Sequence, residues 1–522
     1  MIREISRRKC LRLWLCKPEY MERTKWENRF VLLRFWKKNY MMFLKDLKRF
    51  KMERLYDKLK AYSESDFYAF HMPGHKRNKA LLGIELPYDL DITEIDGFDD
   101  LHHADGILKE EQERAARVFG AEESHFLVNG STAGILSAVM GCTHRGDKIL
   151  VARHCHKSIY HAIYMNGLVP RYVYPEFDIS MHMNGEISKE DVAKALAAEP
   201  DIKAVVIVSP NYDGVVSDVK GIAEVAHSYR IPLIVDEAHG PHFGFHPAFP
   251  GRANDLGADV VINSLHKTLP SLTQTAILHI NGKIVNRRRI KKYLDMLQSS
   301  SPSYIFMASL DACVDFVDGK CENAFELYVE RLQKFREELE PLQHLQILRT
   351  EHYDISKVVI STANANITSP ELADRLRKEY HLEMEMTGGT YVLAMTTVAD
   401  TQEGLDRLKA ALLEIDGQLE AKTAVSGSIE ISGELPRLEQ YFTPQEAADR
   451  EEDGEAEEIP WKESEGHISL EYAYLYPPGS PVIVPGERIS REAVELLRYY
   501  ETQNLQIEGI QTEGKIKVWK HE

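Results

Sequence analysis

Lys267 stands at the end of Ser264-Leu265-His266-Lys267, just past the apolar run Val260-Val261-Ile262-Asn263. Upstream, a second strand-like run ends in Val235-Asp236-Glu237-Ala238-His239. A lysine and an aspartate delivered at the carboxyl ends of two buried strands can hold one pyridine ring between them. The amine can form an imine with an aldehyde, and the carboxylate can keep a proton on the ring nitrogen, the pairing that pyridoxal phosphate chemistry requires. Alone, Lys267 reads as a surface lysine after a core strand, since most lysines are solvated. Its company changes that reading.

Asn129-Gly130-Ser131-Thr132-Ala133-Gly134 lies between an expected strand and an expected helix, so its backbone N–H groups and two hydroxyls suit a phosphate resting on the helix start. A Ser-Thr N-cap without a ligand is the simpler alternative. The pattern is neither GxGxxG nor a P-loop, which argues against a nucleotide. Asp236 ends a wholly apolar strand, where an unpaired carboxylate is costly, so a cationic partner is expected, either a protonated pyridinium or an arginine. His156 opens a helix in Cys155-His156-Lys157-Ser158 and could lie flat against an aromatic ring. His239, His242 and His246 have the spacing of one helix face, but Gly240, Pro241 and Gly244 oppose a helix and no carboxylate completes a zinc motif. No metal is expected, and His239 is the histidine expected to touch cofactor or substrate.

The elements that must position these groups form a regular series. Helical signals alternate with strand signals from Glu110 to His279, with strands at 125–128, 149–151, 171–174, 204–208, 232–235, 260–262 and 275–279. Apolar strands separated by helices imply an α/β fold with a mainly parallel sheet flanked by helices. Ligands of such sheets bind at the carboxyl ends of the strands, where Ser131, Asp236 and Lys267 all fall. The expected organisation is a basic appendage over 1–51, an N-terminal arm over 52–110, a large cofactor domain over 111–320, a small α+β domain over 321–425 and a C-terminal domain over 426–522. Within the last, the acidic stretch 446–465 is expected as a solvated loop.

The chain has 522 residues, 43% hydrophobic and 28% charged, which fits a multi-domain globular protein. No run approaches the ~20 apolar residues of a membrane span. The six cysteines have no CxxC spacing and no signal-peptide pattern is found, so a cytoplasmic protein with free thiols is expected. Residues 1–51 carry about +11 and the rest about −28. With Trp14, Trp26 and Trp36 the leader could bind nucleic acid or a membrane surface, yet it lacks periodicity and a capping box. It is read as an appendage outside the chemistry, with neither nucleic acid nor membrane as partner.

Eight strings in order carry a resemblance: Phe70 to Lys76, Asp91 to His102, Phe126 to Thr132, Cys155 to Ser158, Val235 to Gly240, Ser264 to Leu269, Ser300 to Tyr304 and Tyr476 to Gly479. Together they resemble the ornithine/lysine/arginine decarboxylases of pyridoxal-phosphate fold type I, the aspartate-aminotransferase-like fold, in the short form without a wing domain. The resemblance implies that Lys267 is the Schiff-base lysine, that Asp236 pairs with the pyridine nitrogen and that His156 stacks on the ring. It implies that Ser131, Thr132, Ser264 and His266 hold the phosphate, and that Ser300 reaches the cofactor of a neighbouring subunit in a homodimer or higher homo-oligomer. The arm from His71 to Lys76 would help assembly, and Glu471 falls where the family has an acidic residue on the substrate side. The implied reaction removes CO₂ from arginine, then lysine or ornithine in order of preference, giving agmatine or a diamine for polyamine metabolism or acid response. His154 replaces an expected asparagine, and Pro210-Asn211-Tyr212-Asp213-Gly214 departs from the usual Thr and aromatic residue. Both departures bear on substrate identity. An aminotransferase or aldolase would share Lys267 and Asp236, although no carboxylate-binding arginine stands out. A non-catalytic regulator on the same fold is the third reading.

Overall fold

Val205–Val208, Leu233–Asp236 and Val260–Asn263 are almost wholly apolar, so strands built from them must be covered on both sides. The computed structural model, which describes residues 53–80, 83–178, 183–421, 435–475, 479–503 and 505–520, arranges them in a seven-stranded sheet. The basic leader and the Tyr476-Pro477-Pro478 turn lie outside the described residues. In chain order the strands are β1 (Glu123–Leu127), β2 (Lys148–Ala152), β3 (Val169–Val173), β4 (Val205–Val208), β5 (Leu233–Asp236), β6 (Val260–Asn263) and β7 (Ala276–Ile280). They lie in the order β1-β7-β6-β5-β4-β2-β3. The run from β3 to β6 pairs in parallel, and β7 is antiparallel to both β6 and β1. The expected mainly parallel sheet is therefore present with one reversed strand. The link from β6 to β7 contains only the one-turn helix Leu265–Thr268, so the chain turns back rather than crossing over.

The helix Gly130–Cys142 packs closely on the β1-β7-β6 side of this sheet. A Cβ at Gly134 would fall 2.6 Å from Leu127 Cδ1 and 3.3 Å from Ile262 Cγ2, so the residue's bareness sets the approach. Beyond the helix Glu322–Glu338, a four-stranded antiparallel sheet forms from β8 (Gln346–Ile347), β9 (Lys357–Ser361), β10 (Met386–Thr387) and β11 (Tyr391–Met395), in the order β8-β9-β11-β10. Its apolar side shares one cluster with the helices Tyr304–Val317 and Leu55–Ser63, so no gap in the core separates it from the preceding chain.

The last described region has a core of its own around Trp461, Ile483, Leu497 and Val518. Here one expectation fails. The acidic stretch 446–465 is not a loop: Pro444–Glu452 is a helix and Ala456–Pro460 is a strand paired with Lys515–Trp519. The signal is local. Thr443 and Glu446 form a capping box with Pro444 in the first turn, and Lys517 Nζ reaches Glu451 at 2.6 Å. In the same region Ile468 and Ser469 make only isolated bridges, and the next paired strand is Ala473–Leu475. Arg153, just past β2, anchors this region to the sheet through two bonds to Glu487, at 2.6 and 2.8 Å.

Candidate active site

Five carboxyl ends, those of β1, β2, β4, β5 and β6, surround a cavity of about 370 Å³. The sheet side contributes Ser131, His156, Asp236, His239, His266 and Lys267; the small sheet contributes Met395, Glu385 precedes its β10, and the C-terminal region contributes Ser480. A larger groove, about 800 Å³, runs beside the helices Ile107–Phe119 and Arg287–Leu297, but Arg287 in it is already paired with Glu122 and Glu123. The smaller cavity gathers the groups with capacity to spare.

Asp236 is the last residue of β5 and 3% exposed, and Ala238 N donates to its Oδ1 at 3.1 Å. Burial raises its carboxyl above the usual range, while the positive field of Lys267 works in the opposite direction. Lys267 sits in the one-turn helix after β6, where burial lowers its amine below the usual lysine range and Asp236 opposes that shift. Its Nζ lies 2.8 Å from His239 Nε2. His156 caps the helix Lys157–Met165: its Nδ1 accepts from Ser158 N at 3.2 Å and lies 2.9 Å from Ser158 Oγ. Burial lowers His156 to about 4, so the ring is neutral and carries its proton on Nε2. A neutral, fixed ring of this kind can flank another aromatic face.

An anion would find partly open donors. Asn129 supplies no side-chain cap to the helix Gly130–Cys142, so its first N–H groups remain available next to Ser131. Ser264 is fully buried and its Oγ has no hydrogen-bond partner, an expensive arrangement unless a ligand group reaches it. His266 donates from Nδ1 to the Thr275 carbonyl at 2.8 Å, which leaves Nε2 as a donor to an anion only when the ring is protonated.

Not every expected site residue is brought here. Thr132 and Ser300 are exposed and, like the fully buried Ser264, do not line the cavity. Glu471 is buried away from it, with Lys517 N donating at 3.0 Å and Gln511 N at 3.4 Å, so its carboxylate is committed to the C-terminal backbone. His242 lies 3.1 Å from Asp354 and 2.9 Å from Thr268 Oγ1, and His246 lies 3.1 Å from Glu326. These histidines part from His239 rather than joining it. Among the described residues no group of three His, Cys, Asp or Glu is arranged for a metal.

Sequence reasoning passed over two groups. Lys357 opens the buried strand β9, and its Nζ lies 3.0 Å from His239 Nδ1. Glu385 lines the cavity and accepts from the Tyr212 hydroxyl. The signal for Lys357 is the one that singled out Lys267, a lysine adjoining a wholly apolar strand, Val358-Val359-Ile360.

Known proteins resemble this chain in sequence and in fold. Residues 53–421 match the Orn/Lys/Arg decarboxylase major domain, and residues 433–514 match the C-terminal domain of the same enzymes. An arginine decarboxylase of Bacillus subtilis (strain 168) is 33% identical over 471 residues, covering 87% of this chain and 95% of that protein. One from Bacillus anthracis is 32% identical over 89% of this chain and 97% of that protein. The fold is similar to that of the constitutive lysine decarboxylase of E. coli, with a TM-score of 0.76 at 21% identity, covering 95% of this chain and 84% of that one. The chain therefore belongs to the Orn/Lys/Arg decarboxylase family, enzymes that remove the carboxyl group of basic amino acids.

Proposed function

We propose that this enzyme decarboxylates arginine, with lysine and then ornithine as weaker candidates, using pyridoxal phosphate bound in the 370 Å³ cavity. The observation that carries the reading is the meeting of Lys267 and Asp236 in one cavity, each from the end of a buried strand. The fit to the cofactor rests on what each residue has to spare. Asp236 is a buried carboxylate with one backbone donor and room for a protonated ring nitrogen. Ser264 Oγ and the open start of the helix Gly130–Cys142 suit a phosphate, and the neutral His156 ring suits an aromatic face.

Bound there, pyridoxal phosphate supplies a sink for the electron pair left when the bond to the carboxylate breaks. The chain's part is to hold protons and exclude water. Asp236 keeps a proton on the ring nitrogen, Lys267 offers a desolvated amine to the aldehyde, and Ser264 and Ser131 bind the phosphate. Lys267 or a neighbouring histidine then returns a proton to the α-carbon. Arginine is preferred because the arginine decarboxylases of Bacillus subtilis and Bacillus anthracis match over nearly their whole lengths.

We place the enzyme in the cytoplasm, in keeping with the free thiols of Cys155, Cys313 and Cys321. We also propose a homodimer, in which the exposed Phe67, Phe70 and Met72 of the arm and the exposed Ser300 meet a second copy. Its products would be agmatine or a diamine, for polyamine metabolism or acid response. The test is CO₂ release from carboxyl-labelled arginine, lysine and ornithine by purified protein with added pyridoxal phosphate. Release fastest from arginine is expected. No release from any of the three, with cofactor bound, would overturn the reading and favour a transaminase, an aldolase or a regulator.

A further inference from the structure

A basic amino acid carries a distal cation as well as an α-carboxylate, and a site that takes up the cation needs an anion to meet it. Among the described residues two carboxylates line the cavity, those of Asp236 and Glu385. Asp236 stands at the end of β5, and the proposed function gives it to the cofactor's ring nitrogen. Two other acids of this part of the molecule are turned to structure. Asp213 accepts from the Tyr391 hydroxyl at 2.5 Å, and Asp354 accepts from Ser356 N at 3.0 Å and Ser356 Oγ at 2.7 Å. Neither lines the cavity. Glu385 does, and among the described residues no lysine, arginine or histidine forms an ion pair with it.

The small sheet sets the direction of Glu385. Its N–H donates to the Leu393 carbonyl at 2.9 Å, which extends the ladder between β10 and β11 by one residue. The next residue, Met386, is buried in one apolar cluster with Tyr391 and Leu393. Neighbouring side chains of an extended chain face opposite ways, so Glu385 turns from that cluster to the cavity. There its carboxylate accepts from the Tyr212 hydroxyl, and the Tyr212 ring lies 4.6 Å from the ring of His239. His239 Nε2 in turn lies 2.8 Å from Lys267 Nζ. One tyrosine and one imidazole thus stand between the carboxylate and the reactive amine. Val208, Met395 and Tyr212 line the same cavity and offer apolar surface to the methylenes of a substrate that spans this interval.

Glu385 is exposed, so the cavity opens to solvent beside it. Its carboxylate accepts one bond from Tyr212 and, with two oxygens, has room for the paired donors of a guanidinium or for one ammonium. We infer that Glu385 receives the distal cation of the basic amino acid, and that Tyr212 is a positioning residue that orients its carboxylate. The inference rests on the proposed placement of the cofactor and Lys267 in this cavity.

The test uses holoenzyme loaded with pyridoxal phosphate, as wild type, Glu385→Gln and Tyr212→Phe. CO₂ release is followed from whichever of arginine, lysine and ornithine the wild type uses best, and from its neutral analogue of the same length, citrulline, norleucine or norvaline. Glu385→Gln keeps the shape and removes the charge. It should lower kcat/KM for the basic substrate roughly 10- to 100-fold, the worth of a hydrogen bond to a charged group, with most of the loss in KM. The neutral analogue should change by less than about threefold, since it has no charge to lose. The decarboxylated product keeps the cation and lacks the carboxylate, so it should inhibit Glu385→Gln more weakly than wild type by the same factor as the substrate. Tyr212→Phe leaves the charge but frees it, and should weaken the basic substrate alone by about threefold, the scale of one neutral hydrogen bond. Unchanged KM and product inhibition in Glu385→Gln would overturn the inference. Equal losses on the basic substrate and its neutral analogue would overturn it too, as the mark of a structural role; where wild type does not accept the analogue, product inhibition decides. A wild type that releases no CO₂ from any of the three, with cofactor bound, would instead remove the proposed function, and this inference with it.

Discussion

Asp236 and Glu487 are both buried carboxylates, 3% and 1% exposed, one at the carboxyl end of the central sheet and one in the C-terminal region. Glu487 receives two bonds from Arg153 and a third from Val484 N at 2.9 Å. Asp236 receives one, from the nearby Ala238 N. The contrast extends to their neighbours. In the C-terminal region Glu471 takes two backbone donors and Ser469 Oγ donates to the Glu471 carbonyl at 2.7 Å. At the sheet end, Ser264 Oγ and His154 Nδ1 are buried without any partner. Burying a polar group costs free energy unless it is bonded, so unspent capacity has to be compensated by function or by a ligand. Of these two carboxylates, the saturated one ties the C-terminal region to the sheet, and the one with capacity left over lines the cavity.

The sharpest way to break this comparison is to remove one carboxylate from each region. Asp236→Ala should lower turnover by on the order of 10²–10³-fold, the scale of losing one preorganised electrostatic partner, with little loss of folding stability. Near-normal turnover would put Asp236 with the structural group. Arg153→Met should do the reverse: it strands Glu487 and should cost about 3–5 kcal/mol of stability in denaturant unfolding, while replacing both partners with apolar residues recovers most of it. A stable single variant would show that the pair is not structural. Smallest of the three, Ser264→Ala should weaken cofactor affinity roughly tenfold, the worth of one hydrogen bond to a charged group, without destabilising cofactor-free protein. Unchanged affinity in equilibrium binding would mean that its free Oγ has no ligand.

Much of the sheet was legible because its strands are short apolar runs with helices between them, and burial on both faces leaves that pattern little freedom. The reversal of β7 was not, since an apolar run has no direction. Lys267, Asp236, His156 and His239 stand next to strand or helix ends, so chain position alone indicates that they can meet. Lys357 and Glu385 come from a second sheet whose docking is a tertiary matter. Glu471 shows the opposite limit. A sequence string can locate an acid near a site in the chain, but only its hydrogen bonds reveal that it is committed to Gln511 and Lys517. The acidic helix Pro444–Glu452 was misread because charge density outweighed a capping box that was present in the sequence.

The most direct test of the account is to add pyridoxal phosphate, reduce with borohydride and find the modified residue by peptide mass spectrometry. The cofactor should be fixed to Lys267, and Lys267→Ala should fold but be left unlabelled. Labelling of Lys357 or a surface lysine in its place, or full turnover by Lys267→Ala, would contradict it.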